Sequence, residues 1–256
     1  MLAASRAWGE GAADPWQDVI SPDRPGAANP PTVVGRGVFQ LESAFESLTA
    51  HPPSAASATT LDLPTTLRFG LGHALELRLE SETLSRTRTN SGFADVSVEA
   101  KWCPIGGSGD APLAVALLPS LSLPSGTGGF SAGKTQASMA ALGGWTLSSG
   151  TSFNLGVDES KVVDETGEGY QWQLGSQVAV GIPLRRDWAV SADGFVTDSQ
   201  TGGATAAWGA DAAVEFYPSP DVQLDLGVSQ TFTDPFASTS FQLGVSWRRR
   251  SPRASR

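Results

Sequence analysis

The stretch GYQWQLGSQVAVGIPLRRDWAV, residues 169–190, decides the fold, because the two faces that it would present as a strand differ sharply. Successive side chains of a β-strand point to opposite faces. One face then carries, besides Ser176, the large residues Tyr170, Trp172, Leu174, Val178, Val180 and Ile182. Between residues 171 and 181 the other face has only glutamine, glycine and alanine. Such a face suits a crowded or wet interior, whereas a soluble sandwich usually turns Lys, Glu or Thr to water. One strand leaves both readings open.

Length and composition exclude several classes of protein. The 256 residues could form one large all-β domain or two ordinary domains. No apolar run approaches the roughly 20 residues of a membrane helix, but a strand crosses a membrane with only about 9–11. The net charge of -9 argues against a nucleic-acid partner. A single cysteine, Cys103, excludes an intramolecular disulfide and every multi-cysteine metal site. We therefore expect neither a metal nor a cofactor.

From residue 33 onward the chain repeats one unit, in which every second residue is apolar and a turn follows. Twelve such segments occur, and no sustained helical period interrupts them. The links after even-numbered segments are short, as in GLG at 70–72 and PSPD at 218–221. Links after odd-numbered segments tend to be longer and more polar. Tight turns at one end and larger loops at the other are typical of outer-membrane barrels.

Charged residues recur at mid-strand positions on the face opposite the apolar one. In a soluble β-barrel the apolar face would point inward and enclose a ligand cavity. In a transmembrane barrel the same face would contact lipid, and the charges would line the lumen. On this second reading the candidate lumen-lining residues are Arg36, Gln40, Glu42, Arg68, Glu76, Arg78, Glu80, Asp95, Glu99, Lys101, Asp211 and Asp225.

Tryptophan positions favour the transmembrane reading. Trp prefers the membrane–water boundary, where its ring is buried while its N–H stays wet, and a packed soluble core would place some tryptophans mid-strand. Aromatic girdles are predicted at the strand ends that carry Trp102, Trp145, Trp172, Trp188, Trp208 and Trp247. Glycines such as Gly175 and Gly181 on the polar face suit a crowded interior. The predicted fold is all-β, a single antiparallel up-and-down transmembrane β-barrel of about 12 strands.

Four stretches, taken in order, carry a resemblance to a known family. They are SPDRPGAANPPTVVGRGVFQLESAF at 21–45, LPTTLRFGLGHALELRLE at 63–80, GFADVSVEAKW at 92–102 and LLPSLSLPSGTG at 117–128. Together they resemble the outer-membrane β-barrel transporters named for the MetA pathway of phenol degradation. The matching positions include Asp23, Arg24 and Pro25, then Gln40 and Glu42, Leu67 and Arg68, and Asp95 and Lys101. The resemblance implies a place in the bacterial outer membrane, contact with its lipid, and transport of small solutes, including aromatic or hydrophobic compounds.

The predicted barrel of residues 33–247 is flanked by an irregular N-terminal segment, 1–32, and a basic tail, 248–256. The start lacks the charged beginning and apolar core of a secretory signal. Because AASRA is similar to the end of such a signal, the segment is interpreted as a signal remnant or as part of the barrel mouth. The last strand, SFQLGVSW, has the arrangement that the barrel-assembly machinery reads. The RRRSPRASR run that follows is expected to weaken insertion.

Two functions remain open on the residues alone. The first is an outer-membrane channel or transporter for small solutes, and the alternative is a soluble β-barrel binding protein with an apolar ligand cavity. An enzyme is not expected, because His51 lies in a Pro/Ser loop and His73 at a tight turn. Neither is placed on a strand beside a serine and a carboxylate, as a lipid-hydrolysing barrel requires.

The transmembrane reading makes two further predictions. Arg68 should lie inside the lumen, because carboxylates on its own and adjacent strands would offset the cost of burying its charge. Its candidate partners are Glu42, Asp62, Glu76 and Glu80. Acidic residues outnumber basic ones on the polar face, so an open pore should favour cations or neutral solutes.

Overall fold

A single antiparallel sheet dominates the computed structural model, which describes residues 18–107, 111–164, 166–199 and 206–250. Its strands are β1 (Phe39–His51), β2 (Ala58–Gly70), β3 (Leu75–Arg86), β4 (Ser91–Gly92), β5 (Val96–Ile105), β6 (Leu113–Leu123), β7 (Gln136–Thr146), β8 (Ser152–Val163), β9 (Tyr170–Arg185), β10 (Trp188–Ser199), β11 (Ala207–Ser219), β12 (Val222–Thr233) and β13 (Phe236–Arg249). The short β4 extends the ladder that β5 makes along β3. Among the described residues, no helix is long and apolar enough to cross a membrane.

The sheet closes on itself because β1 pairs with both β2 and β13. The other long strands pair antiparallel with their neighbours in sequence, with β3 next to β5. The predicted up-and-down barrel is therefore confirmed, with β4 as one short addition to the twelve long strands. The last strand continues to Arg249. Arg248 and Arg249, which the sequence pattern assigns to the basic tail, thus belong to the barrel wall.

The apolar residues of the repeat point out of the barrel. Leu226, Phe241 and Leu243 on this outer face are 60%, 59% and 63% exposed. On the opposite face, Arg68 and Lys101 point inward and are fully buried. A water-soluble barrel needs the reverse arrangement, so the alternative of a soluble binding protein is wrong. Lipid around the outer face accounts for the apolar belt.

The two ends of the barrel differ in their connections. At the turn end, the strands are joined by residues 71–74, 106–112, 147–151, 186–187 and 220–221. At the loop end, the longest link is residues 124–135, whereas β12 and β13 are joined only by Asp234 and Pro235. The predicted asymmetry is thus a tendency with two departures, the short last hairpin and the turn-end link 106–112, which is longer than the loop-end links 52–57 and 164–169. Tight turns face the periplasm in outer-membrane barrels, which orients the turn end inward.

The girdle tryptophans lie on the outer face near both ends of the barrel. Trp102, Trp145, Trp188 and Trp247 lie near the turn end, and Trp172 and Trp208 lie near the loop end. Other rings extend these positions. The ring centroids of Trp188 and Phe216 are 4.8 Å apart, and those of Trp208 and Phe232 are 4.5 Å apart. Rings at these two levels suit the two membrane boundaries.

Residues 18–38, which we call the plug, enter the lumen from the turn end and return to the same end. Near the start, the Ile20 N–H donates to the Pro220 carbonyl at 2.7 Å, and near the finish the Gly37 N–H donates to the Gly70 carbonyl at 2.8 Å. Deep in the lumen, Gly26 approaches Asp193 so closely that a Cβ at position 26 would collide with the carboxylate. Residues 18–32 of the predicted N-terminal segment therefore run from the turn end into the lumen, and residues 1–17 lie outside the described residues.

The outward orientation of Leu226 on β12 predicts a strong cost for a charge at this position. Leu226 lies between the two aromatic levels, so Leu226→Lys should lower the free energy of unfolding in lipid by about 2–4 kcal/mol. The matched control is Ser229→Lys, on the inward face of the same strand, which should cost much less because the lumen is polar. Equal losses in urea titrations of the two variants in liposomes would contradict the assigned faces.

Candidate functional site

Arg68 on β2 lies at the centre of a buried group of charges inside the lumen. Its Nε and Nη2 donate to the two carboxylate oxygens of Glu76 at 2.9 and 3.0 Å. Its Nη1 donates to Glu42 Oε1 and to Asp23 Oδ1, both at 3.0 Å. The plug carbonyls of Ser21 and Thr32 also accept from this guanidinium. Arg68 therefore pairs with two of its predicted partners, Glu42 and Glu76, and in addition with Asp23.

Asp23 on the plug is bound by three cationic side chains of the barrel wall. Besides Arg68, Arg78 Nη2 lies 2.8 Å from Asp23 Oδ2, and Lys101 Nζ lies 3.1 Å from each of the two carboxylate oxygens. The Asp23 N–H donates to Glu42 Oε2 at 2.9 Å. One plug residue is thus joined to β1, β2, β3 and β5.

We call Asp23, Glu42, Arg68, Glu76, Arg78 and Lys101 the lumen charge cluster. The cluster holds three carboxylates and three cations, and each of the six residues is less than a tenth exposed. Burying charge is costly unless opposite charges and hydrogen bonds compensate, and here the two signs balance. Lys101 also donates to the Pro30 carbonyl at 3.0 Å, and the Val34 N–H donates to Glu76 Oε2 at 2.8 Å. The cluster therefore holds the part of the plug that enters the lumen, at Asp23, and the part that returns to the turn end, at Pro30 and Val34.

The electrostatic environment keeps Asp23 ionised. Burial alone would raise the pKa of Asp23, but Arg68, Arg78 and Lys101 outweigh burial and hold that pKa below its ordinary value of 3.8. Asp23 is absent from the predicted lumen-lining set, because it lies before the first strand and no strand periodicity points to it. Its place in the Asp-Arg-Pro motif is the signal in the sequence that could have identified it.

Other predicted lumen residues surround the cluster. Gln40 Nε2 donates to Glu42 Oε1 at 2.8 Å, and Glu99 lies 3.1 Å from Arg78. Glu80 lies 3.6 Å from Arg78, with its side chain half exposed to the lumen. Across the barrel, Asp225 pairs with Arg24 of the plug at 3.2 Å, and Asp211 lies opposite Asp193 in the β10–β11 register.

Two predicted lumen residues lie elsewhere. Arg36 is in an exposed turn before β1, because the first strand begins at Phe39 rather than at residue 33. Asp95 lies between β4 and β5 and accepts from the N–H groups of Gly126 and Ala132 at 2.8 and 2.9 Å. Burial acts to raise the pKa of Asp95, but the Ser131 hydroxyl and these amides lower it. Asp95 therefore organises the loop between β6 and β7.

A second group of ion pairs fastens the plug at the turn end. Arg248 lies 3.0 Å from Asp18 and 2.9 Å from Asp221, and Arg250 lies 2.7 and 2.8 Å from the same two carboxylates. We call these four residues the terminal clamp. The basic run after the last predicted strand thus includes two residues that bind the start of the plug.

A crevice of about 230 Å³ separates the plug from the wall opposite the charge cluster. On the wall side its lining includes small residues, among them Gly144, Ala179 and Gly181. Polar groups from Asn154, Ser191, Glu215 and Tyr217 also face it. The plug therefore fills the lumen unevenly, with ion pairs against β1–β5 and open space against β7–β11.

Part of the inner wall is apolar, which the alternating pattern does not predict. Cys103, Ala116, Leu118 and Leu142 are buried there and form a cluster with Val33 of the plug. The signal in the sequence is the run LAVALL at 113–118, which is apolar on both faces. Within the described residues, no group of three or more His, Cys, Asp or Glu side chains could hold a metal ion.

The pairing of Arg68 predicts a large stability loss on its removal. Arg68→Leu would leave Asp23, Glu42 and Glu76 buried with one fewer cation, and breaking a buried pair costs about 3–5 kcal/mol. The folded barrel should therefore convert to the unfolded form at a clearly lower temperature on heat-modifiability gels. Arg36→Leu, at an exposed position, is the matched control. An unchanged transition for Arg68→Leu would mean that Arg68 faces bulk water.

The lowered pKa of Asp23 predicts a defined pH dependence. The contribution of its ionised form is complete above its ordinary value of 3.8 and is lost as the pH falls toward the lower folded value. The difference in melting temperature between the wild type and Asp23→Asn should stay constant from about pH 8 to about pH 5 and shrink below about pH 4. Asp198→Asn, at an exposed position, is the control. A difference that already vanishes at neutral pH would contradict the assigned ion pairs.

Solved structures of outer-membrane channels are similar to this barrel. An outer-membrane channel from Pseudomonas putida F1 aligns with a TM-score of 0.65 at 12% identity, over 88% of this chain and 98% of that chain. NanC porin aligns with a TM-score of 0.57 at 14% identity, over 82% and 98%. KdgM porin in complex with disordered oligogalacturonate aligns with a TM-score of 0.55 at 10% identity, over 80% and 98%. At these identities the likeness shows the fold, that of bacterial outer-membrane barrels.

Among curated proteins, none matches the sequence significantly. The family match is extensive, since residues 22–249 fit the family described as MetA-pathway of phenol degradation. The match begins at the plug, one residue before Asp23, and ends at the last residue of β13. Plug and barrel are therefore covered together, and the chain belongs to this family of outer-membrane β-barrel proteins.

Proposed function

We propose that the protein is an outer-membrane channel for small solutes, which enter at the loop end and leave past the plug at the turn end. The observation that carries the proposal is the uneven filling of the lumen. Ion pairs hold the plug against β1–β5, and a crevice remains against β7–β11. A barrel of this size lies between those that side chains fill and those with a wide aqueous channel, so a narrow path is expected.

Charge inside the lumen supports a preference for cationic or neutral solutes. The cluster around Asp23 is balanced, and Arg24 is paired with Asp225. The acids of the opposite wall, including Asp193, Asp211 and Glu215, make no ion pair with the described residues. An oligogalacturonate, which accompanies the KdgM porin, is a polyanion. The acids of this lumen would repel such a solute.

The inner apolar cluster supports the proposal that small aromatic or hydrophobic compounds are among the transported solutes. Ala114 belongs to this cluster and also lines the crevice, and the small residues Gly144, Ala179 and Gly181 of the crevice wall leave space for a ring. A solute with an apolar body and a neutral or positive polar group fits both walls. This range agrees with the pathway that gives the family its description.

The proposal also includes an assembly partner for the barrel and a role without catalysis. The last strand exposes Phe241, Leu243, Val245 and Trp247 on its outer face, the arrangement proposed for recognition by the barrel-assembly machinery. The proposed role is transport without catalysis, and no nucleic-acid partner is proposed. His51 ends β1 at the loop end and His73 lies in a turn-end link, so the barrel separates the two histidines.

Planar-bilayer recordings in a salt gradient test the proposal. The wild type should show a small conductance with a reversal potential on the cation side. Asp23→Asn should conduct several-fold more, because the plug loses its joint partner for Arg68, Arg78 and Lys101. Asp198→Asn should match the wild type. Absence of conductance from both the wild type and Asp23→Asn would overturn the channel, and an anion preference would overturn the solute class.

A further inference from the structure

The charged groups that line the crevice differ in their partners. Asp23, Arg24, Asp193 and Glu215 are the charged residues of its lining. Asp23 is neutralised by the lumen charge cluster, and Arg24 donates to Asp225 at 3.2 Å and to Gln242 at 3.1 Å. The charges of these two residues are therefore largely cancelled by their partners, and a passing solute meets little net charge from them.

The nearest charged neighbour of Asp193 across the sheet is another carboxylate. Asp193 lies opposite Asp211 in the β10–β11 register, and Oδ1 of each residue is buried without a hydrogen-bond donor among the described residues. Like charges directly opposite each other on a sheet are unfavourable. Asp193 is also covered by Gly26 of the plug and is only 9% exposed, so a passing solute has little access to it.

Glu215 is different, because both of its carboxylate oxygens accept a hydrogen bond from a neighbouring hydroxyl group. The Ser191 hydroxyl donates to Oε1 at 2.8 Å, and the Tyr217 hydroxyl donates to Oε2 at 2.6 Å. In the part of the chain that the structure describes, no Lys, Arg or His forms an ion pair with Glu215. Glu215 is therefore a carboxylate that two hydroxyl groups hold in place on the wall of the crevice, with no cation paired to it among the described residues.

We propose that Glu215, held by Ser191 and Tyr217, is the selectivity-determining residue of the crevice and binds the positive group of a passing monovalent cation or organic ammonium ion. The proposal rests on the proposed channel function and identifies the place where its cation preference arises. The crevice confines the solute beside this carboxylate, where screening by water and salt is weaker than in the open lumen. Tyr217 and Ser191 are positioning residues, since they hold the carboxylate without contributing charge.

The test uses the full-length chain and potassium chloride as the probe. Glu215→Gln should lower the cation-to-anion permeability ratio about threefold or more, with a conductance close to that of the wild type. Glu46→Gln removes a lumen carboxylate on β1, away from the crevice, and should change the ratio much less. Tyr217→Phe keeps the charge of Glu215 but removes one of the two hydrogen bonds that hold its carboxylate. The variant should therefore retain the cation preference, and its reversal potential should vary more from one single channel to the next.

Charge replacement keeps the proposal testable even where Glu215→Gln folds poorly. Glu215→Cys is made in a Cys103→Ala background, because Cys103 is the natural thiol of the chain. A sulfonated thiol reagent should restore the cation preference, and an ammonium thiol reagent should reverse it.

The outcomes separate the two proposals. A silent wild type would overturn the channel and this inference with it. A conducting channel whose selectivity is unchanged in Glu215→Gln, equally altered in Glu46→Gln, or insensitive to the sign of the thiol reagent would leave the channel standing and overturn the role of Glu215.

Discussion

The architecture of the lumen depends on the carboxylate of Asp23. On the wall, the buried carboxylates of Glu42 and Glu76 face three cations, Arg68, Arg78 and Lys101, and the plug supplies the third acid. In a confined and partly dry lumen, an uncompensated charge is far more costly than one at a surface. Charge balance therefore requires the plug to lie against β1–β5. The position of the N-terminal segment follows from the charges of the strands that come after it.

The same requirement creates the free space on the other side. Once the plug is drawn to one wall, the wall of β7–β11 is left without a partner. Small residues such as Gly144, Ala179 and Gly181 on that wall do not reach across the gap. The glutamine, glycine and alanine face of residues 171–181 is thus the inner surface of a barrel that is filled unevenly. Its lack of bulk is what leaves room for a solute.

Local alternation is enough to predict the strands and their two faces, whereas the choice of the lipid-facing side also needs the tryptophan positions and the unequal links. The pairing of Arg68 with Glu42 and Glu76 is predictable because these residues lie at nearby positions on adjacent strands. Asp23 could not be predicted in this way. It lies on an irregular segment and meets Lys101, which is 78 residues away in sequence, through tertiary folding alone. The inner apolar cluster could not be predicted for another reason, because strict alternation fails where both faces of a strand are apolar. Glu215 is one of several acids on the polar face, and only the folded structure brings the Ser191 and Tyr217 hydroxyl groups to it.

The plug has two fastenings, and they differ in strength for a physical reason. The terminal clamp joins Arg248 and Arg250 to Asp18 and Asp221, but the Asp18 side chain is 65% exposed, and exposed ion pairs contribute little and weaken with salt. The lumen charge cluster is excluded from water and is screened far less. Its charges also join β1, β2, β3 and β5 to one another through Asp23. Closure of the channel and stability of the barrel therefore share one set of contacts, so a change that releases the plug at Asp23 also weakens the wall that surrounds it.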